Sequence, residues 1–437
     1  MKLTKMSLVA ALLVGSSAFA VDNVKVNGDV NLFYLTTDVD GGTANTLAGD
    51  PNGSLFAKDS SAADASLNLA VSADLVKNDM VTVSGKAAYT VLSTLGLENN
   101  FVSNVWGGGH TATAGTGQSY GGSSHSNALG GAKVENANYF TEAYLTVATG
   151  NTAVQLGRME LDTPLAFSEN WSAEKNTFEA AVVMNKDIPD TTVVAAYIGN
   201  GNGNNTFGNV VADNTVQTLG LAMAPVVNGA GQFQTFGKDG AYALAVVNNS
   251  FKPLTAQAWY YRVTDVADAF WVQADLNMEG ILAGVQYSMI DLDAGGDSDV
   301  VAVMLGYEMK DMVTVKGAFS QTAKDAAFGA NIATSTGNTK LYTKTYWNYG
   351  TDVVTAADTT AYKLSVHSPV NGIVDLGLCY TYSDQEKNTG ALDVTEIALV
   401  AKKSFGPLDV KAAVLNTDMG KVQDAYTSVI AHLGVKF

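Results

Sequence analysis

The sequence predicts an all-β protein, a transmembrane antiparallel β-barrel of about 18 strands with short periplasmic turns and long extracellular loops. Three features predict it. Apolar and polar residues alternate in many segments, short connections alternate with long ones, and the last strand ends on an aromatic residue. No run of 18 or more apolar residues follows the first 20, so membrane-spanning helices are not expected. Barrel strands give a much weaker hydropathy signal.

The final segment, residues 425–437, shows the alternation most clearly. One face is wholly apolar and carries Val429, Ala431, Leu433, Val435 and Phe437. The other face is polar apart from Ile430. A period of two places successive side chains on opposite faces of a strand. Because a half-buried strand of a soluble sheet has the same period, other features have to distinguish the two classes of protein.

The first 20 residues have the pattern of a secretory signal peptide. Lys2 and Lys5 precede an apolar run, and Ala18-Phe19-Ala20 matches an A-x-A cleavage site. A buried N-terminal helix is the alternative, but no amphipathic pattern continues past Ala20. We therefore expect residues 1–20 to be removed as a signal peptide and residues 21–437 to form a single barrel domain.

The charge of the chain argues against one class of partner. Residues 1–20 contain two lysines and no acid, so the mature chain carries −19 where the full chain carries −17. An acidic protein lacks the basic footprint that nucleic acids require. A cation-attracting pore is compatible with this charge, as is an ordinary soluble acidic protein.

The connections between the predicted strands differ systematically in length. Short ones are expected at residues 77–79, 149–151, 279–280, 310–312 and 405–407. Long polar ones include residues 93–138 and 199–240, and the second of these could hide two more strands because residues 216–223 alternate. Bacterial outer-membrane barrels separate short turns from long loops in this way. Soluble sandwiches and propellers have no reason to do so.

Charged residues on the polar strand faces predict a water-filled interior. A lysine or arginine facing lipid at mid-membrane costs about 2–4 kcal/mol, so these side chains are expected to point inward. We expect most of them to be water-exposed residues of the barrel wall that do not determine selectivity. The principal lumen-facing candidates are Lys86, Glu142, Asp275, Glu308 and Lys316.

Several short motifs carry a resemblance to a known family. They are the start of the chain, residues 26–34 (VNGDVNLFY), residues 157–165 (GRMELDTPL), and residues 254–268 with Trp259-Tyr260-Tyr261. They resemble segments of the major outer-membrane porins of Campylobacter and its relatives, and of the related OprD-type channels. The resemblance implies an 18-stranded homotrimeric barrel in the outer membrane of a Gram-negative bacterium, which passes small hydrophilic solutes. The terminal strand also resembles the one by which assembly machinery recognises such barrels.

In that family residues 157–165 correspond to the entry into the third loop, which folds into the barrel. We therefore expect a constriction built from Arg158, Glu160, Asp162, Glu169 and Glu174, with a leaning toward cations. Arg158 shares its parity with Val154 and Leu156, so a position at the barrel rim is an equal alternative. OprD-type channels commonly carry a basic ladder, but this chain has only the arginines Arg158 and Arg262.

Two acidic loops are candidates for calcium, because hard cations prefer several oxygen ligands. They contain Asp38 and Asp40 in one case, and Asp291, Asp293 and Asp297 in the other. Neither matches an EF-hand loop, and a solvated acidic loop is the plainer interpretation. No cofactor is required by the sequence.

Catalysis is not expected. The sequence contains no zinc-ligand spacing, nucleophile elbow or phosphate-binding loop. An alternative to the channel is a surface adhesin, anchored by the barrel, whose long loops bind a partner.

Overall fold

The computed structural model describes residues 21–38, 54–57, 61–93, 95, 104–105, 137–170, 173–202, 233–235, 239–293, 296–324, 330–333, 338–347, 354–370, 372–385, 393–420 and 424–437. The predicted signal peptide and most of residues 93–138 and 199–240 lie outside this set, as does the strand-like stretch 216–223.

Eighteen long strands close into one antiparallel barrel, as the alternation predicted. They are β1 (Asp22–Thr37), β2 (Ser61–Lys77), β3 (Thr82–Leu92), β5 (Ala137–Thr149), β6 (Thr152–Met159), β7 (Phe178–Asn185), β8 (Thr191–Gly201), β10 (Ala241–Asn248), β11 (Leu254–Val263), β12 (Ala267–Met278), β13 (Ile281–Leu292), β14 (Ser298–Met309), β15 (Val313–Thr322), β16 (Thr359–Val370), β17 (Val374–Gln385), β18 (Asp393–Phe405), β19 (Leu408–Asp418) and β20 (Tyr426–Lys436). Two two-residue strands, β4 (Asn104–Val105) and β9 (Gln234–Thr235), pair beside β2 and β8.

Each barrel strand pairs with its neighbours in the chain, and β1 pairs with β20 to complete the ring. The last residue takes part in this closure. The Gly28 N–H donates to the Phe437 carbonyl at 2.8 Å, and the Phe437 N–H donates to the Gly28 carbonyl at 2.9 Å. The two chain ends therefore hold each other in register.

Among the residues described, no helix is long and apolar enough to cross a membrane.

The two ends of the barrel differ as predicted. The first and last described residues, Val21 and Phe437, lie at one end with the tight turns, such as Glu279-Gly280 and Gly406-Pro407. The long connections lie at the other end, which also has two short ones: Thr264, Asp265 and Val266 link β11 to β12, and residues 293–297 link β13 to β14. Three predicted turns begin one residue later, since Lys77, Thr149 and Phe405 are the last residues of β2, β5 and β18.

The outward face of the strands is an apolar belt. Side chains along it expose between 37% and 67% of their surface, including Val154, Leu156, Leu244, Val272, Val303, Leu305, Leu364, Leu399 and Val414. A soluble protein rarely exposes so continuous an apolar surface. The belt is what a membrane-spanning barrel requires on its outer side.

The inward face is polar near the short turns, but it carries large apolar side chains nearer the long loops. Tyr261 and Trp271 on β11 and β12, and Phe33 and Leu415 on β1 and β19, are almost completely buried. Such residues would be out of place in an empty, water-filled tube. They are buried because segments of two long connections fold back into the barrel and pack on them.

Candidate functional site

Two inward segments narrow the barrel. The first, residues 160–170 and 173–177, follows β6 and will be called the third-loop segment. The second, residues 338–347, lies between β15 and β16 and will be called the inner strap. The third-loop segment lines two cavities of the lumen, of about 970 and 560 Å³, and the inner strap lines both of these and a third of about 330 Å³. The first is the largest of these three and will be called the largest cavity.

The third-loop segment is held mainly by apolar packing. Leu161, Leu165 and Ala166 join one buried cluster with Tyr261 and Trp271 of the wall. The Leu165 N–H also points to the Tyr261 hydroxyl at 3.4 Å. Because this contact removes apolar surface from water on both sides, we expect the segment to be a stable part of the barrel.

The third-loop segment is also joined to residues 330–333, just before the inner strap. The Asn331 amide donates to the Phe167 carbonyl at 2.8 Å and to the Glu169 carboxylate at 2.6 Å. The Ile332 N–H donates to the Leu165 carbonyl at 2.8 Å. The two long connections therefore form one assembly inside the barrel.

The inner strap follows the wall from β12 to β18 and is held by polar contacts. At its start, Gln286 accepts from the Tyr342 N–H and donates to the Lys340 carbonyl, both at 3.0 Å, and the Tyr342 hydroxyl donates to Asp275 at 2.5 Å. In the middle, Ser320 and Thr343 share a hydrogen bond of 2.6 Å.

At the end of the strap, the Glu396 carboxylate accepts from the backbone N–H groups of Tyr346 and Trp347. Gly284 leaves room opposite the start of the strap: a Cβ atom there would lie 2.2 Å from the Tyr342 hydroxyl. The wall is therefore shaped to receive the strap at both ends.

The largest cavity has a divided lining. Carboxylates of Asp29, Glu142, Glu160 and Glu174 lie on the side formed by β1, β5 and the third-loop segment, where Lys86 and Lys175 pair with Glu142 and Glu160. Lys402 and Lys411 on β18 and β19 line another part, with Lys344 of the strap. Across the whole lining, six carboxylates meet seven ammonium groups; they are Asp29, Glu142, Glu160, Glu174, Asp375 and Asp409, and Lys86, Lys175, Lys344, Lys402, Lys403, Lys411 and Lys436.

The four predicted constriction acids occupy different places. Glu160 lines the largest cavity and accepts from Lys175 at 2.6 Å. Asp162 lines the second cavity, with most of its side chain exposed, and pairs with Lys340 of the strap. Glu174 lines the largest cavity and accepts from the Asn68 amide at 2.8 Å. Glu169 is only 2% exposed and serves the contact between the two long connections.

Arg158 does not lie with these acids. It sits on the outward side of β6 near the loop end of the barrel, where its guanidinium donates to Glu179 at 2.8 Å and stacks over Phe233 at 4.1 Å. Arg158 therefore lies at the barrel rim and is not part of the predicted constriction. The alternation along β6 decides this, because Arg158 shares a face with the exposed Val154 and Leu156.

The lumen-facing candidates lie at several depths. Lys86 and Glu142 form an ion pair beside the largest cavity. Asp275 and Lys316 line the smallest one. Glu308 lies on the inward parity of β14, with Val300 and Ala302, near the short-turn end.

Sequence reasoning missed the two lysines that the inner strap brings into the lumen. Lys340 and Lys344 lie on the inner strap, and Lys363 of β16 donates to the Lys344 carbonyl. With Lys316, Lys402 and Lys411 they line all three cavities. The parity of β16 and β19 indicated Lys363 and Lys411, but nothing local indicated that Lys340 and Lys344 fold inward.

Lys344 is the lumen group with the clearest dependence on pH outside the strands. Burial lowers the pKa of the Lys344 ammonium to about 8. The nearby ammonium groups of Lys363 and Lys340 act in the same direction, against the carboxylates of Glu169 and Glu396. Lys344 is therefore mostly charged below this pH and mostly neutral above it.

Raising the pH from about 7 to about 9 should increase the preference of the lumen for cations, because Lys344 loses its positive charge in this window. The measurement is the zero-current potential across a bilayer in a salt gradient. Lys344→Met, which is neutral throughout, should lack this part of the pH response, whereas Lys310→Met in a short turn should retain it. An identical pH response in Lys344→Met and the wild type would contradict the assignment.

Of the calcium candidates, Asp38 and Asp293 are engaged by other groups, and Asp40 lies outside the described residues. The Asp38 carboxylate accepts from the Thr427 N–H, and Asp40 is not described. Both carboxylate oxygens of Asp293 accept from Arg262. Asp291 and Asp297 lie beside that pair. Within the described ranges, no three His, Cys, Asp or Glu side chains are grouped as metal ligands require.

Comparison with solved structures finds barrels of the same architecture. OccK9 (OpdG) of Pseudomonas aeruginosa has a TM-score of 0.69 and 10% identity, over 95% of this chain and 99% of that one. The fold is shared. OccK1 (OpdK) of the same organism has a TM-score of 0.68 and 11% identity, over 95% and 98% of the two chains. OccAB4 of Acinetobacter baumannii has a TM-score of 0.66 and 11% identity, also over 95% and 98%.

No protein-family model matches the chain, and no curated protein matches it in sequence. At these identities the likeness extends to the barrel, so the chemistry of the lumen has to be argued from the residues of this chain.

Proposed function

We propose that this protein is an outer-membrane channel through which small hydrophilic solutes diffuse passively. The observation that carries the proposal is the combination of an outward apolar belt with an inward face of paired acids and lysines. Charged side chains on the inward face need water, and the apolar belt needs lipid. A barrel with both is suited to conduct polar solutes across a membrane.

The structural likeness supports the same proposal. One of the similar structures is OpdK of Pseudomonas aeruginosa with vanillate, at a TM-score of 0.66, and another describes OpdK as an outer membrane protein. We extend from this only that the barrel lies in the outer membrane of a Gram-negative bacterium. A closer kinship with Campylobacter-type porins rests on residues 26–34 and 157–165 and is part of the proposal. So are the homotrimer and the recognition of the terminal strand by assembly machinery.

We also propose that the channel prefers cations, but less strongly than the sequence predicted. The mature chain carries −19, which favours cations near its mouths. Charges farther than about 10 Å from the path are screened in 0.1 M salt, so the lining counts most. Because the six carboxylates and seven ammonium groups that line the largest cavity nearly cancel, we expect the acidic mouths to leave only a slight cation preference at neutral pH.

Single-channel recording in planar bilayers tests the proposal. The refolded mature chain should produce stepwise, ohmic conductance that rises with salt concentration. A matched preparation denatured before addition serves as the control. Folded protein that inserts into the bilayer and never conducts would overturn the channel function.

A further inference from the structure

Glu396 is an unusual wall residue. It lies on the inward side of β18, yet only 1% of it is exposed, because the inner strap covers it. Its carboxylate accepts from the Tyr346 N–H at 2.5 Å and from the Trp347 N–H at 3.2 and 3.3 Å. A charged acceptor forms stronger hydrogen bonds than a neutral one, so this is a strong anchor.

The contact beneath this end of the strap is only partly favourable. Tyr346 and Trp347 pack on an apolar cluster that contains Phe33 and Ile430, and Phe33 stacks with Trp347 at 6.0 Å. However, the hydroxyl groups of Thr345 and Tyr346 are buried without a hydrogen-bond partner among the described residues. The same holds for Thr381 and Ser383 on the inward side of β17. Buried hydroxyl groups without partners favour exposure to water.

The two inward segments therefore differ in how they are held. The third-loop segment packs on a broad apolar cluster, which Leu341 of the strap also joins, whereas the polar anchors of the strap are Gln286 and Asp275 at its start and Glu396 at its end. Loss of one anchor should release the adjacent part of the strap and leave the barrel closed. The strap carries Lys344, which lines the largest cavity, so its position affects both the width and the charge of the path.

We propose that Glu396 is the positioning residue of the channel, and that it sets the width and charge of the lumen by holding residues 344–347 against the wall. The consequence for conduction rests on the proposed function. The position of the strap does not depend on that function, and it can be measured separately.

The chain contains its own reporter. Cys379 is the only cysteine; it is partly buried, lies on the inward parity of β17, and packs on the same apolar cluster as Tyr346 and Trp347. Release of this end of the strap should expose the thiol to the lumen. The experiment measures the rate at which a water-soluble trimethylammonium methanethiosulfonate reagent modifies Cys379 in the refolded full mature chain.

Glu396→Ala removes the acceptor from two N–H groups, and Cys379 modification should accelerate about tenfold, the ratio that corresponds to about 1.4 kcal/mol. Glu396→Gln retains one oxygen and should show a smaller acceleration.

Glu279→Gln, the same chemical change in an exposed short turn, should match the wild type. Gln286→Ala frees the far end of the strap and should affect Cys379 less than Glu396→Ala does. Cys379→Ser should show no modification.

Conductance is recorded on the same preparations, and the larger single-channel steps are expected in Glu396→Ala. Equal modification rates in the wild type and both folded Glu396 variants would overturn the inference. If Glu396→Ala does not fold, Glu396→Gln decides the matter by the same rate comparison. Accelerated modification in a protein that never conducts would uphold the strap and overturn the channel function, so the two failures are distinguishable.

Discussion

Replacing Glu160 with Gln and Asp162 with Asn together should move the zero-current potential in a salt gradient through neutrality, toward anion preference. Both carboxylates lie in the lumen, and each is paired with a lysine, Lys175 in one case and Lys340 in the other. Their removal leaves both ammonium groups beside the path. Salt screens charges over about 10 Å at 0.1 M, so removing two charges from the lining affects the zero-current potential more than removing two distant charges.

The barrel should tolerate this double replacement. Solvent-exposed ion pairs contribute about 0–1 kcal/mol to stability, and Glu160 and Asp162 are both exposed to the lumen. Lys340 also rests over the Phe167 ring at 5.0 Å, so it has a second contact that holds it in place. The altered potential would then report charge rather than a collapsed pore.

The matched control removes the same charge elsewhere. Asp190→Asn with Glu279→Gln deletes two carboxylates from exposed short turns, and Asp190 is likewise paired, with Lys252 at 2.7 Å. This control should shift the potential much less than the lumen pair does, and the difference should shrink as salt concentration rises. Equal shifts in the two double variants would mean that Glu160 and Asp162 do not lie beside the conducting path.

The barrel could be predicted because its signals are local. Alternation within a strand and the lengths of successive connections require only neighbouring residues, and they correctly indicated the ring of strands with its short-turn and long-loop ends. The same alternation predicted the outward position of Arg158. For this residue the alternation was a better guide than the expected place in the constriction.

The inner strap could not be predicted in this way, because its contacts join residues far apart in the chain. Glu396 lies about 50 residues from the backbone groups that it binds, and Asp275 lies 67 from Tyr342. One signal was present. Ile430 broke the polar face of the last strand, and the structure places it in the apolar cluster on which Trp347 packs. Apolar residues at inward positions thus indicate where a loop folds in.

The charge of the whole chain was a poor guide for a related reason. The charge of −17, or −19 without residues 1–20, includes many carboxylates on turns and loops outside the lumen, such as Asp187 and Asp190. The lining is nearly balanced because lysines of the wall and of the third-loop segment, such as Lys86, Lys175 and Lys411, lie among the carboxylates there, and the strap adds Lys340 and Lys344. Which charges line a pore depends on which loops fold inward, and that is a property of tertiary structure.

Gly28→Ala should destabilise the closed barrel by about 1–3 kcal/mol, the usual cost of overpacking a tight site. A Cβ atom there would lie 2.7 Å from the backbone oxygen of Asn68 and 2.6 Å from the Phe437 ring, at the seam where β1 meets β20. The ring could turn aside, but the Asn68 oxygen belongs to the ladder between β1 and β2. Urea unfolding in lipid vesicles measures the change, and Gly377→Ala, whose nearest contact is 3.7 Å, is the control.

Phe437→Ala separates closure from recognition at the same seam. The variant keeps both backbone hydrogen bonds to Gly28, so its stability in vesicles should fall less than that of Gly28→Ala. The ring itself is 64% exposed on the outward side, where it contributes little packing to the barrel. If assembly machinery recognises the terminal aromatic residue, the amount of folded protein in cells should drop severalfold in Phe437→Ala despite normal refolding in vitro. Equal losses in cells and in vitro would assign Phe437 to closure alone.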